Sequence, residues 1–425
     1  MSTTNAPQNN IPKSRAWLVI TGASTCLFCT VGFLNSFGIF EEYYASDQLS
    51  QSPQSTIAWL GAVAIFFLFS ISVVSGAIVD KFGPNLLCWA GAIGTVFSIM
   101  MTSLCKEFYQ FLLAQGILLG ISMALVTWPM LALVGKWINA ENRGAALGIV
   151  LAGSSLGGVV WPIAINKLLR EKGIGFPWTM RIVGFIMIPC FGFACLVAKL
   201  PPTVATVDGE QQDKDNVDLA PPVKEVDRKA EAVTLFKKPA LQLLSLAMFI
   251  TYFGMFSPFF YTTSYAVAKG FSSSFAFYTV SIVNGASFFG RVVPGIVADK
   301  YGKFNCCIVA TLLSGLIALC WTKVDSVAGL GVWSAAYGFA SGGIISLQQA
   351  CAAQVATPST MGLAIGTVSA SVSLSAMANV PISGALAEKY GYLSLSLFSG
   401  VSLLLGGVLL IAARLIQDRR LLAIV

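Results

Sequence analysis

The sequence predicts an all-α membrane protein of twelve transmembrane helices in two six-helix bundles, with both termini cytoplasmic. Three observations predict it. Hydrophobic residues make up 56% of the 425 positions and charged residues only 11%. Unbroken apolar runs of about 20 residues, the length that crosses a bilayer, recur along the chain. Two separate motifs each occur twice, at nearly the same offset. A soluble domain carries about a quarter charged residues, so a chain with mean hydropathy +0.77 has lipid for a solvent. In hydrocarbon every backbone N–H and C=O needs an internal partner, which makes the runs helices. A β-barrel would show alternating strands of about ten residues instead.

Residues 1–15 form a polar tail with Lys13 and Arg15, lacking the apolar centre of a signal peptide, so the first span is expected to stay uncleaved. The N-terminal bundle, 16–199, holds spans at 16–40, 56–79, 85–104, 108–134, 144–168 and 179–198. The stretch 200–238 has Pro-Pro pairs, many charges and few apolar residues. It cannot bury a core and is expected to be a disordered cytoplasmic linker. The C-terminal bundle, 239–416, holds spans at 239–266, 274–298, 304–321, 327–352, 362–387 and 393–416. A short cytoplasmic tail, 417–425, closes the chain. Pro129, Pro162, Pro189, Pro258, Pro294 and Pro381 mark expected kinks.

Charge placement sets the orientation. With the N-terminus inside, 17 of the 26 Lys and Arg residues fall on the cytoplasmic side and 7 outside, with Arg181 and Arg291 set aside as intramembrane, as the positive-inside rule requires. Arg181, beside Trp178, reads as an interfacial anchor. The net charge of +7 is spread over span ends and loops, without a basic stripe, and nucleic acid is excluded as a partner. The ten cysteines fall almost entirely within apolar runs, where Cys acts as a small hydrophobe. Cys26 and Cys29 have CxxC spacing but sit in a helix. With no His in the chain, neither a metal nor a cofactor is expected.

The repeat is explicit. Gly76-Ala-Ile-Val-Asp80-Lys81-Phe82-Gly83 recurs as Gly295-Ile-Val-Ala-Asp299-Lys300-Tyr301-Gly302, 219 residues on. Arg143-Gly-Ala-Ala-Leu-Gly148 recurs as Met361-Gly-Leu-Ala-Ile-Gly366, and Pro162 as Pro381. Two parallel halves meeting around a midplane cavity are the plan of a solute carrier. In each Gly-x-x-x-Asp-Lys-x-Gly copy, glycine permits close helix approach and a tight turn, and the Asp can accept hydrogen bonds from a neighbouring helix N-terminus. Asp80, Lys81, Asp299 and Lys300, with Arg143, are therefore the candidate gating residues.

That motif, at the inner ends of the second and eighth spans, resembles the loop signature of the major facilitator superfamily. Further segments resemble the superfamily's monocarboxylate porter branch, especially its fungal members: Asn35-Ser36-Phe37-Gly38-Ile39-Phe40, Lys136-Trp137, the 143–148 and 152–158 runs, and Gly290-Arg291 ahead of Gly295. The resemblance implies the twelve-helix fold of that superfamily, alternating access, and substrates that are organic acids, riboflavin or exported secondary metabolites.

The residues narrow the site. Arg291 lies eight residues before Asp299, about 12 Å inward along a helix. A charge at that depth faces a bundle interior or a wet cavity, and a guanidinium there suits a carboxylate. Asn284, Ser287 and Arg291 share one helix face by their i, i+3, i+7 spacing. Asn35, by its position in the first span, and Tyr261, beside Pro258, complete the candidate substrate-binding set. Proton-coupled lactate carriers of the branch have an Asp one turn before the Arg and a Lys in the first span. Here these positions hold Ser287 and Asn35, and no acid falls in the middle of any span, so lactate–proton symport by that scheme is not expected. A membrane enzyme would need a nucleophile–base pair, metal ligands or buried acids, and none is present.

The expectation is a multi-pass carrier, placed in the plasma membrane by the family resemblance, that moves a small organic, anionic metabolite. Its alternatives are efflux of a biosynthetic-cluster product, riboflavin-type uptake, and a sensor that binds solute without moving it. Its partners are the small-molecule substrate and the lipid bilayer. The sequence sets neither the direction of transport nor the oligomeric state.

Overall fold

The computed structural model describes residues 13–171, 173–201 and 228–420, and these contain helices and turns but no strand. The helices are α1 (Ser14–Gln48), α2 (Thr56–Phe82), α3 (Asn85–Thr102), α4 (Phe108–Trp137), α5 (Ala140–Arg170), α6 (Gly175–Val197), α7 (Pro239–Ala268), α8 (Ser274–Tyr301), the shorter α9 (Lys303–Leu319) and α10 (Val327–Val355). The final apolar segment, Pro358–Gln417, has 60 residues. As one rod it would measure about 90 Å, some three times a hydrocarbon core. It breaks at Gly391, where φ is 76°, into α11 (residues 361–390) and α12 (residues 392–417). Among the described residues ten segments have the length and apolarity of a membrane span. With α9, and with the last segment divided, they are consistent with the twelve-helix expectation.

Two elements differ from the sequence reading. The first span runs on to Gln48 rather than ending near residue 40, interrupted between Cys29 and Val31 and again between Leu34 and Phe37, and finishing in a π turn over Tyr44–Gln48. The extension is held by Tyr44, whose ring packs on Phe40, Phe111 and Phe176 and whose hydroxyl donates to Gln115 at 2.7 Å. The stretch 200–238, expected to lack structure, ends in a helix, Arg228–Lys237. One apolar side chain anchors that helix, for Leu235 is 2% exposed. The Glu231 carboxylate accepts from Ser359, and Lys238 Nζ donates to the Val355 carbonyl at 2.7 Å. Residues 202–227, 1–12 and 421–425 lie outside the described residues.

The side chains are arranged for lipid. Large apolar residues face outward on several helices, among them Ile93, Phe289 and Val332. The interior holds many small hydroxyl side chains that donate to a carbonyl three or four residues back, such as Thr95, Thr102, Thr311 and Ser314. The two halves meet chiefly where α5 lies on α8 and α2 on α11. Both crossings depend on absent side chains. A Cβ at Gly148 would stand 2.4 Å from the Arg291 carbonyl oxygen, and one at Gly366 would stand 2.3 Å from that of Ser72. No larger residue fits at that separation.

Candidate functional site

The repeated motifs meet crosswise at the end of the bundle where α2, α4, α8 and α10 finish and α5, α9 and α11 begin. Asp80, near the end of α2, accepts hydrogen bonds from the first backbone N–H groups of α11, Gly362 at 3.1 Å and Leu363 at 2.8 Å. Asp299, near the end of α8, accepts from Gly144 and Ala145, both at 2.8 Å, among the first N–H groups of the α-helical part of α5, which begins at Arg143 after a short turn. Each carboxylate thus satisfies orphan donors and meets the positive end of a helix dipole. Each also ties one half of the molecule to the other. The motif ends in Gly83 (φ 81°) and Gly302 (φ 97°), left-handed positions that turn the chain directly into α3 and α9.

The cations differ from those the sequence suggested. Lys81 and Lys300 lie over the neighbouring Phe82 and Tyr301 rings. Asp80 is instead paired with Lys136 at the end of α4, at 2.8 Å, both side chains less than a tenth exposed. Asp299 has Lys303 at 3.8 Å, one turn on, and Lys303 Nζ also donates to the Ala140 carbonyl at 2.7 Å. Arg143 lies within electrostatic reach of Asp299 and donates to the Ile138 carbonyl. Of the two missed partners, Lys303 carries a sequence signal in its i, i+4 spacing from Asp299. Lys136 carries none that relates it to Asp80, because the contact joins two helices 56 positions apart.

Deeper along the same crossings lies a second pair of ties. Ser72 and Arg291 occupy equivalent positions in the repeat, 219 residues apart. Ser72 Oγ donates to the Gly366 carbonyl across the α2–α11 crossing at 2.7 Å. Arg291 Nη1 donates to the Leu151 carbonyl of α5 at 2.6 Å and to Ser154 Oγ. Arg291 is only 3% exposed, has no carboxylate partner among the described residues, and its Nε has no hydrogen-bond partner. It therefore does not reach the lipid surface, and part of its guanidinium is held by the opposite half. It does not line the small recess bounded by Phe33, Leu34, Phe37, Phe40, Ala64, Gln115 and Leu119, which lies within the first half.

Of the other candidate ligands, Asn35 and Asn284 are brought together across the halves, Asn35 Nδ2 donating to Asn284 Oδ1 at 3.4 Å, with Gly158 of α5 against both. Ser287 is turned away from them. Its hydroxyl abuts Gly342 of α10 and has no hydrogen-bond partner, because a 60° offset on the helix suffices to redirect a short side chain to another neighbour. Tyr261 donates to the Val380 carbonyl of α11 at 3.0 Å, separate from Arg291. Arg181 lies over the Trp178 ring at 5.1 Å, the pairing expected of an anchor.

Over residues 23–332 the chain matches the model of the Major Facilitator Superfamily. The chain belongs to that superfamily. It is 42% identical over 401 residues to the agnestins efflux protein AgnL12 of Paecilomyces divaricatus, covering 94% of this chain and 88% of that one. It is 41% identical over 406 residues to the aspyridones efflux protein apdF of Emericella nidulans, covering 95% and 78%. The human organic anion transporter MFSD10 superposes with a TM-score of 0.71 at 18% identity, covering 94% of this chain and 99% of that structure, and shares the fold. As a superfamily member the chain is a multi-pass secondary transporter of small molecules, not an enzyme. The crosswise aspartates tie its two halves together at one end, and Arg291 is a charge buried between them.

Proposed function

We propose that the chain exports a small, largely apolar organic acid of secondary metabolism across the plasma membrane, by rocking its two halves, 16–199 and 239–416, about the central crossings. The observation that carries the acid is Arg291: a guanidinium 3% exposed, without a carboxylate partner among the described residues and with Nε unpartnered. A buried cation gains a great deal from an anion in a low-dielectric interior. Its bonds to Leu151 and Ser154 hold it in this state, and an arriving acid takes their place. Two efflux proteins at more than 40% identity support the direction.

The closed end is the cytoplasmic one in this reading, since the first and last described helices begin and end there and most of the basic residues gather there. Asp80 and Asp299 then act as gate residues, with Arg143 contributing charge, and Lys81 and Lys300 as interfacial flanks. Asn35 and Asn284 form a polar contact that separates as the halves part, and Ser287 and Tyr261 border the path. The test is flux in proteoliposomes, coupled to comparison of metabolites released by cells with and without the protein. An Arg291→Gln variant that reaches the membrane yet moves no acid is the expected result. Unchanged acid flux in that variant refutes the reading.

A further inference from the structure

Tyr252 of α7 and Gln348 of α10 are each 1% exposed, and Gln348 Nε2 donates to the Tyr252 hydroxyl oxygen at 2.8 Å. Arg291 lies within electrostatic reach of the same phenol. The three side chains come from three helices of one half, yet their hydrogen-bonding capacity is not used up. Gln348 Oε1 and Arg291 Nε have no partner, and the Tyr252 proton meets no acceptor among the described residues. Polar groups that merely glue helices together pair off with one another. This set keeps a spare acceptor and two spare donors, one of them charged, in an interior where dry polar atoms are costly.

Aromatic rings of the opposite half face this set. Phe69 of α2 meets the Tyr252 ring edge-on, centroids 6.1 Å apart, and leans on Trp128 of α4 at 5.6 Å. A flat ring is thus the natural occupant between the halves once they part, with Phe69 filling its place in the closed state.

We infer that Tyr252 and Gln348 complete the Arg291 site, and that the site selects a planar aromatic acid bearing a hydroxyl group. This rests on the organic-acid reading above. The acid takes Arg291 and the Tyr252 proton, while the substrate's hydroxyl donates to Gln348 Oε1. A site built around a substrate hydroxyl discriminates strongly against the analogue lacking it, because its own polar atom is then left unpaired.

The full chain in proteoliposomes, given labelled 3-hydroxybenzoate or benzoate, tests this. The expected result is a preference of about tenfold or more for the hydroxylated acid. Gln348→Leu lowers 3-hydroxybenzoate flux to the benzoate level and leaves benzoate flux unchanged, which also reports that the variant is folded, whereas Tyr252→Phe, which removes a donor to the carboxylate that both acids share, lowers both and keeps the preference. Arg291→Gln loses both. If Gln348→Leu keeps the preference or loses both acids equally, or if Tyr252→Phe leaves both fluxes unchanged, the inference is overturned while the acid reading stands. If the unaltered protein moves neither acid, or Arg291→Gln moves both as before, the acid reading fails and this inference with it.

Discussion

Lys136 Nζ stands 2.8 Å from Asp80 Oδ1, and the same oxygen accepts from the Gly362 N–H at the start of α11. One buried carboxylate therefore joins a charge from its own half to a helix end of the other. Taking one member from a buried pair leaves an uncompensated charge, at a cost of about 3–5 kcal/mol. Lys136→Met is expected to destabilise the closed end by roughly that amount. Cysteines placed on α2 and α11 beside the latch should cross-link less in that variant, and Lys136→Arg should restore part of the yield.

The two aspartates are not interchangeable. Asp299 has its nearest ammonium at 3.8 Å, and that lysine is already satisfied by a carbonyl. Asp80→Asn strands Lys136, whereas Asp299→Asn chiefly weakens a charge–dipole contact worth about 0.3–2 kcal/mol. Thermal unfolding in detergent should show the larger loss for Asp80→Asn. Equal losses would count against the role given to Lys136.

Gly148 and Gly366 set how closely the halves approach. A methyl group at either position meets a backbone carbonyl at less than 2.5 Å, and backbone cannot step aside as a flexible side chain does. Gly148→Ala and Gly366→Ala are each expected to hold their crossing apart and to abolish transport without loss of membrane insertion. Accessibility of a reporter cysteine at the closed end, raised in both variants, checks the prediction.

Ser72 and Arg291 make equivalent ties of unequal strength. Ser72→Ala removes one neutral hydrogen bond, worth about 0.5–1.5 kcal/mol net, and should alter flux only a few-fold. Arg291→Ser, which makes the two crossings alike, should remove acid transport and leave the aspartate latches formed. Flux and cross-linking measured on the same variants separate the two effects.

The span positions, the duplication and the aspartate contacts were all legible in the sequence, because hydropathy and repeated motifs are properties of local runs of residues. The π-turn end of α1 was not, since it depends on Tyr44 finding Phe111, Phe176 and Gln115 on other helices. The helix at Arg228–Lys237 was missed because Leu235 alone is buried among its described side chains, and composition averages one anchor away. Arg291 was legible as a buried charge, but its hold on Leu151 and Ser154 was not, since a carbonyl acceptor leaves no mark in a sequence. Tyr252 and Gln348 carry no sequence signal that relates them, because their leftover hydrogen-bonding atoms show only once the helices are packed.

The crosswise pairing has an evolutionary consequence. Each motif copy finds its partner on the other half, the arrangement that a six-helix ancestor would adopt on pairing with an identical copy about a two-fold axis. In such a homodimer any change appears at both contacts at once. Joining the copies in one gene releases that constraint, and Lys136 opposite Val355, or Ser72 opposite Arg291, are asymmetries that a single chain is free to keep.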